Sequence, residues 1–344
     1  MDSGPTCPLR ALPPCKVNNM HAHDDCLMHT CMNQQTHHTV YDPQTQGMLR
    51  LATRHSLKKS NHAFHVKSMA SSLPGFVRCW GTPVSSPTPL DVPQDLGPVV
   101  AVATRDLHKC AITATKAVRC WGRWSYANAG MPADLGPAAS LALGETYSCA
   151  LLESGLVRCW GELMYSGVPP DLGPVVALSA RSAHTCALTA SGAVRCWGWD
   201  NLRQSSGVPN TVPVAAVVAP GALYTCVLGV TGSVTCWGQT DFVPPLDLGA
   251  VVAISGGVYH VCAMTAAGAL RCWGSAFLKV PRDLGAVTSV ISAGWDHTCA
   301  IVASSNALRC WGNVQGIVRV PADLGPVTSV SVATYHACAV TAGK

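Results

Sequence analysis

The chain has 344 residues, 12% of them charged and 48% hydrophobic, with a formal net charge of +5. So little charge excludes a solvated linker or a fully disordered chain, and the length suits one large all-β domain or two ordinary ones. Seven Lys/Arg against four Asp/Glu fall in residues 1–70 and sixteen against fourteen in the rest; no basic cluster is present, so no nucleic-acid partner is expected.

Residues 1–70 carry Cys7, Cys15, Cys26 and Cys31 with His21, His23, His29, His37 and His38. Their spacing fits no zinc-finger pattern, so no metal site is assigned. Rich in His, Gln, Asn and Met and without apolar periodicity, this stretch is expected to be a disordered N-terminal segment. The first sixteen residues lack the apolar core of a secretory signal. No apolar run of about 18 residues occurs, so no membrane-spanning helix is expected.

From residue 71 onward the chain repeats. The tripeptide Cys-Trp-Gly begins at Cys79, Cys120, Cys159, Cys196, Cys236, Cys272 and Cys310, in steps of 36 to 41 residues. A period near 40 is that of a stacked supersecondary unit such as a propeller blade. Each repeat reads as three short β-rich segments bounded by Gly, Pro and Ser, the second and third forming a hairpin. Four residues before the Cys-Trp stands Gly75, Gly155, Gly192, Gly232, Gly268 or Asn306, residues that supply the left-handed position of a tight turn. Lys116 is the exception and is expected to be strained there.

A three-stranded unit cannot cover both its faces alone; seven in a ring can. The expected fold is therefore all-β: a seven-bladed β-propeller of three- to four-stranded blades over residues 71–344, closed by its terminal strands. The chain stops six residues after Cys338, in mid-hairpin, and the missing half is Gly75 to Gly81. Tyr335 to Thr341 is thus expected to pair with Phe76 to Gly81.

A second cysteine precedes six of the seven Cys-Trp-Gly copies by ten or eleven residues; Cys79 has none upstream in register and Cys338 none downstream. This gives expected hairpin disulfides Cys110–Cys120, Cys149–Cys159, Cys186–Cys196, Cys226–Cys236, Cys262–Cys272 and Cys299–Cys310, with Cys79–Cys338 closing the ring. Directly opposed cross-strand residues lie within disulfide reach. The alternative is that these thiols are small buried hydrophobes. Paired cysteines favour an extracellular or secretory-lumen location; the absent signal leaves a cytoplasmic or nuclear one open.

The repeats, with their Gly-x-x-His-Thr-Cys-Ala-Leu…Gly-x-Val-x-Cys-Trp-Gly pattern, resemble those of the regulator of chromosome condensation superfamily over residues 71–344. The short repeat is most similar to two compact types, the propeller-type β-lactamase inhibitory protein and the Crinkly-type receptor kinase ectodomain, the second of which also has paired cysteines. The founding member exchanges nucleotide on the small GTPase Ran, but its longer blades and insertions are missing here. The resemblance implies the fold strongly and the function weakly.

Three sets of residues recur once per blade. The first, two residues before the first cysteine, is His108, Tyr147, His184, Tyr224, His260, His297 and His336. Whole strands separate its members, so they are read as structural hydrogen-bonding groups, not metal ligands. The second is Arg78, Arg119, Arg158, Arg195, Arg271 and Arg309. Asp95, Asp134, Asp171, Asp247, Asp283 and Asp323 open six blades; the blade without this Asp is the one with Thr235 in place of Arg. Joint loss points to contact, so buried Arg–Asp pairs are expected. The third is the loop before the His/Tyr position, with Arg105, Asp106, Glu145, Arg181, Leu223, Tyr259, Trp295, Asp296 and Tyr335. Variable chemistry on a repeated frame reads as a partner-binding surface. Gly294 to Thr298 resembles a loop motif of the plant ultraviolet-B photoreceptor, which uses several tryptophans; the single Trp295 argues against photoreception.

No nucleophile–base pair, phosphate-cradling loop or cofactor motif stands out. The sequence therefore reads as a monomeric, non-enzymatic scaffold that binds a protein partner through variable loops, without cofactor. The alternative, by resemblance, is an intracellular regulator of a small GTPase or ubiquitin pathway. A channel hydrolase would need clustered carboxylates, and the chain has three glutamates.

Overall fold

The computed structural model describes residues 74–82, 91–122, 130–162, 167–210, 212, 214–274, 279–313 and 319–342. The chain divides into two units, Met1–Leu57 and Lys58–Lys344. All described residues lie in the second, and the expectations for residues 1–70 fall outside them.

Among the described residues, apart from one 3-10 turn at Thr240–Phe242, the regular structure is all β, in seven three-stranded antiparallel sheets. β1 is Phe76–Gly81. Blade 1 takes β2 (Val99–Thr104), β3 (His108–Thr113) and β4 (Val118–Gly122). Blade 2 takes β5 (Ala138–Leu143), β6 (Tyr147–Leu152) and β7 (Val157–Gly161). Blade 3 takes β8 (Val175–Arg181), β9 (His184–Thr189) and β10 (Val194–Gly198). Blade 4 takes β11 (Ala215–Pro220), β12 (Tyr224–Gly229) and β13 (Val234–Gly238). Blade 5 takes β14 (Val251–Gly256), β15 (His260–Thr265) and β16 (Leu270–Gly274). Blade 6 takes β17 (Val287–Ala293), β18 (His297–Val302) and β19 (Leu308–Gly312). Blade 7 joins β20 (Val327–Val332) and β21 (His336–Thr341) to β1, in the order β1-β21-β20.

The expected closure is present residue for residue: Phe76 pairs with Thr341, Cys79 with Cys338 and Gly81 with His336. All seven expected disulfides form, at Cα separations of 4.0–4.1 Å. At the hairpin position Lys116 and Asn306 have φ of 68° and 54°, beside glycines at 79° to 86°. Lys116 thus bears the expected left-handed strain, about 1 kcal/mol or more for a residue with a Cβ. Gly75 is different: it bridges Val99, because its hairpin is completed by the other end of the chain.

The core lies between blades. The described residues form seven apolar clusters, each shared by two neighbours. Trp121 of blade 1 packs with Cys338 and Val340 of blade 7, and Trp160 of blade 2 packs with Cys110 and Ile112 of blade 1. The Leu of each Asp-Leu-Gly turn caps one of these clusters, as Leu96 and Leu324 do.

A hydrogen-bonded belt joins neighbouring blades at the His/Tyr position. His108 Nε2 meets Ser148 Oγ at 2.9 Å, Tyr147 Oη meets Thr185 Oγ1 at 2.8 Å, His184 Nε2 meets Thr225 Oγ1 at 3.0 Å and His260 Nε2 meets Thr298 Oγ1 at 2.8 Å. The partner is the hydroxyl residue just before the first cysteine of the next blade. Where that residue has no hydroxyl the belt changes. Facing Val261, Tyr224 Oη donates instead to the Gly257 and His260 carbonyls. Next to Ala337, His297 meets no hydroxyl, and next to Lys109, neither does Nε2 of His336.

Five of the six expected Arg–Asp pairs form: Arg78–Asp323, Arg119–Asp95, Arg195–Asp171, Arg271–Asp247 and Arg309–Asp283, at 2.8–3.1 Å. They are not buried: the Asp side chains are 71–75% exposed, because the Asp-Leu-Gly turn buries only its leucine. The guanidinium beside each carboxylate holds it below the usual range by hydrogen bond and charge. An exposed pair loses most of its Coulomb energy to solvent. Arg195→Ala is therefore expected to leave the melting temperature essentially unchanged, at low and at high salt. A fall in a thermal melt that salt reproduces in the native protein would show these pairs to matter.

Candidate functional site

The first strand of every blade lines a central channel, with a cavity of about 140 Å³. The loops from first to second strand surround one mouth of it. Neighbouring loops are tied together: Glu145 N donates to Ser182 O, Val258 N to Gly294 O, and Thr334 N and Oγ1 to the two carboxylate oxygens of Asp106.

The structure places the nine loop residues in three different settings. Tyr259, Trp295 and Tyr335, from blades 5, 6 and 7, stand side by side. Their ring centroids are 5.8 Å and 6.3 Å apart, with planes tilted by 58° and 51°. Tyr259 is exposed and the other two half-buried. Burial and then the Asp106 charge raise the Tyr335 hydroxyl, which places Asp106 of blade 1 beside this aromatic arc. Asp296, next to Trp295 in the chain, is half-buried. Glu145 is exposed and Leu223 half-buried, in the loops of blades 2 and 4 on the other side of the mouth.

Arg105 and Arg181 turn inward: Arg105 is a half-buried loop residue just after β2, and Arg181 belongs to a strand. Arg181 is the last residue of β8, paired with His184, and only 7% exposed. Its guanidinium crosses the channel from blade 3 to blade 6 and donates to Ala293 O at 2.8 Å and Gly294 O at 2.7 Å. Arg105 reaches from blade 1 to blade 3 and donates to Ala180 O at 2.7 Å. Together they bar the mouth. Burial, followed by the neighbouring Arg105 charge, pulls the Arg181 guanidinium below its ordinary value. Burial does the same to Arg105, opposed by Asp106.

Two features escaped the sequence reading. Lys109 occupies the belt position that holds Thr or Ser in four other blades, and is fully buried; burial pulls its amine down to about 8, against the pull of Asp106. Inner-strand serines form a second ladder: Ser255 Oγ accepts from Ala293 N, Ser292 Oγ from Val332 N and Ser331 Oγ from Thr104 N. Ser179 stands at the same register, opposite Cys186, but its neighbour in blade 4 is Pro220, which has no N–H to give. The serine at this register in blades 3, 5, 6 and 7 was the available signal.

The family described as regulator of chromosome condensation (RCC1) repeat matches residues 175–204 and 287–313. No curated protein matches the chain in sequence. Among solved structures, the CRINKLY WD40 ectodomain of the Arabidopsis thaliana receptor kinase ACR4 is similar with a TM-score of 0.58 and 23% identity, over 68% of this chain and 86% of that one. The ectodomain of the Physcomitrella patens receptor kinase CR4 gives 0.60 and 26%, over 70% of each chain. Prp20p of Saccharomyces cerevisiae gives 0.65 and 16%, over 78% of this chain and 92% of that one. With its seven closed blades and repeated Cys-Trp-Gly strands, the chain is a seven-bladed β-propeller that carries RCC1 repeats at residues 175–204 and 287–313.

Proposed function

We infer that this propeller is a non-enzymatic scaffold that binds a protein partner on the face carrying the first-to-second-strand loops. The observation that supports this most is the arc of Tyr259, Trp295 and Tyr335, with Asp106 beside it and Asp296 next to Trp295 in the chain. Aromatic side chains in a polar setting are typical anchors of protein interfaces, since they offer large rigid area and a polar edge. The opposite face presents five charge-neutral Arg–Asp pairs, a poorer source of specificity. The similar receptor-kinase ectodomains and Prp20p, described with its binding to Gsp1p and histones, are similar in fold only; nothing in the loops favours a GTPase partner.

In affinity capture with the full chain as bait, Trp295→Ala is expected to weaken the captured partner's binding about 30-fold or more, the cost of an aromatic hot spot of about 2 kcal/mol or above. Its melting temperature should stay near that of the native chain. Capture undiminished by Trp295→Ala and Tyr259→Ala, but lost on changing Arg195 and Arg271, would move the interface to the other face.

A further inference from the structure

We propose that the barred mouth of the channel is an anion site, in which Arg105, Arg181 and Ser179 hold one phosphate- or carboxylate-type oxyanion. This goes beyond the protein-binding reading and does not depend on it.

Two guanidiniums lie together in the mouth, and neither belongs to an ion pair among the described residues. The carboxylates of Asp106 and Glu145 favour the Arg105 charge, and Asp106 that of Arg181, but from a distance: the hydrogen bonds that Asp106 accepts come from Thr334. Carbonyl oxygens accept from the guanidiniums but carry no net charge, so the two positive charges share the mouth with no carboxylate bonded directly to either among the described residues. A buried charge is normally paired or neutralised.

Donor capacity points the same way. A guanidinium has five N–H groups in a planar fork suited to an oxyanion. Arg181 uses two of its groups, on Ala293 and Gly294. Arg105 uses two, on Thr104 and Ala180. The Nε atoms of both are buried with no acceptor.

The surroundings complete a site. Both arginines and Ser179 line the cavity of about 140 Å³, which has room for several waters or a tetrahedral anion. Ser179 accepts no backbone hydrogen bond of the inner ladder, because Pro220 stands opposite. It is two residues from Arg181 on one strand, so both start from the same side of the sheet. Repetition cannot explain the pair: among the blades only 1 and 3 carry arginine at this edge.

The test uses the full oxidised chain at constant ionic strength, with inorganic phosphate at about 50 mM in place of chloride, and acetate in a parallel arm. The native protein is expected to gain about 2–4 °C in melting temperature, as an anion that binds only the folded state must give. Arg105→Met should lose that gain while remaining folded, since its loop keeps the Asp106–Thr334 tie. Arg105→Lys should keep part of it. Arg181→Met is informative only as support, because Arg181 also braces blades 3 and 6. A gain in the acetate arm alone, absent from Arg105→Met, assigns the site to carboxylates; a gain with phosphate alone assigns it to phosphates. No gain with either anion in the native protein overturns the proposal. So does an equal gain in native and Arg105→Met protein, the signature of general salt stabilisation.

Discussion

Lowering the pH from 7 to 4 is expected to unfold the propeller, with a midpoint near pH 5 and an uptake approaching five protons. His108, His184, His260, His297 and His336 are all buried. Burial is the main cause pulling each ring below its ordinary value, His184 to about 4 and the other four to about 3. Positive neighbours add to it: Arg105 at His108, Arg181 at His260 and His297, and Lys109 at His336. The unfolded chain takes up these protons near pH 6.5, the folded one only near 3 to 4. The unfolded state thus binds more protons throughout that window, and stability falls as pH falls. It is complete above about pH 6.5 and lost toward pH 4. Five such groups give a slope of up to about 7 kcal/mol per pH unit. Against a total stability of about 5–15 kcal/mol, that suffices to unfold a domain within about two units. The aspartates paired with arginine titrate below this window and do not contribute to it. Tryptophan fluorescence and proton uptake through the transition check the result. A stability flat from pH 7 to 4, or uptake of one proton or fewer, would mean that the belt histidines are already charged or become solvated without unfolding.

Cys79→Ala with Cys338→Ala is expected to cost the most of any disulfide, up to about 5 kcal/mol as a chain-entropy bound. The reason is separation: this bond joins residues 259 apart, whereas the other six join residues 10 or 11 apart. A hairpin disulfide constrains an unfolded chain little more than the hairpin's own turn does, at roughly 3 kcal/mol or less. Without the closing bond, blade 7 is held shut by non-covalent contacts alone: the backbone pairing of β1 with β21, the packing of Val77 and Trp80, and the exposed Arg78–Asp323 pair. Opening there would expose two sheet edges, so aggregation on heating is expected as well. The comparison is a denaturant titration of this double variant beside Cys186→Ala with Cys196→Ala. Equal losses in the two would show that blade 7 closes without help from the bond. Removing residues through Gly81 should be more damaging still, since β1 itself is then missing.

The partition between what was legible and what was not follows range. Blade number, strand triplets, the Cys-to-Cys register and the terminal closure could all be read from residues 71–344. Each rests on a short spacing or on a repeat seen seven times over, and a hairpin register fixes which residues face each other. The Arg–Asp contacts were legible for the same reason, through the one blade that lacks both partners.

Burial was not legible. The same Asp-Leu-Gly turn that seals a blade interface with its leucine leaves its aspartate in water, so the ion pairs expected inside lie outside. Nor could the sequence say that Arg105 and Arg181 turn into the channel while Tyr259, Trp295 and Tyr335 line its rim. That choice is made by carbonyls of blades two or three positions away around the ring. The belt shows the same limit: four of the seven His or Tyr residues meet a hydroxyl 38 to 41 residues further on, Tyr224 turns to carbonyls, and Ala337 or Lys109 in that place leaves a histidine without a hydroxyl partner. Local spacing determines a strand and its partner. The partner across a blade interface or a channel is decided only when the ring closes and packs its sheets face to face.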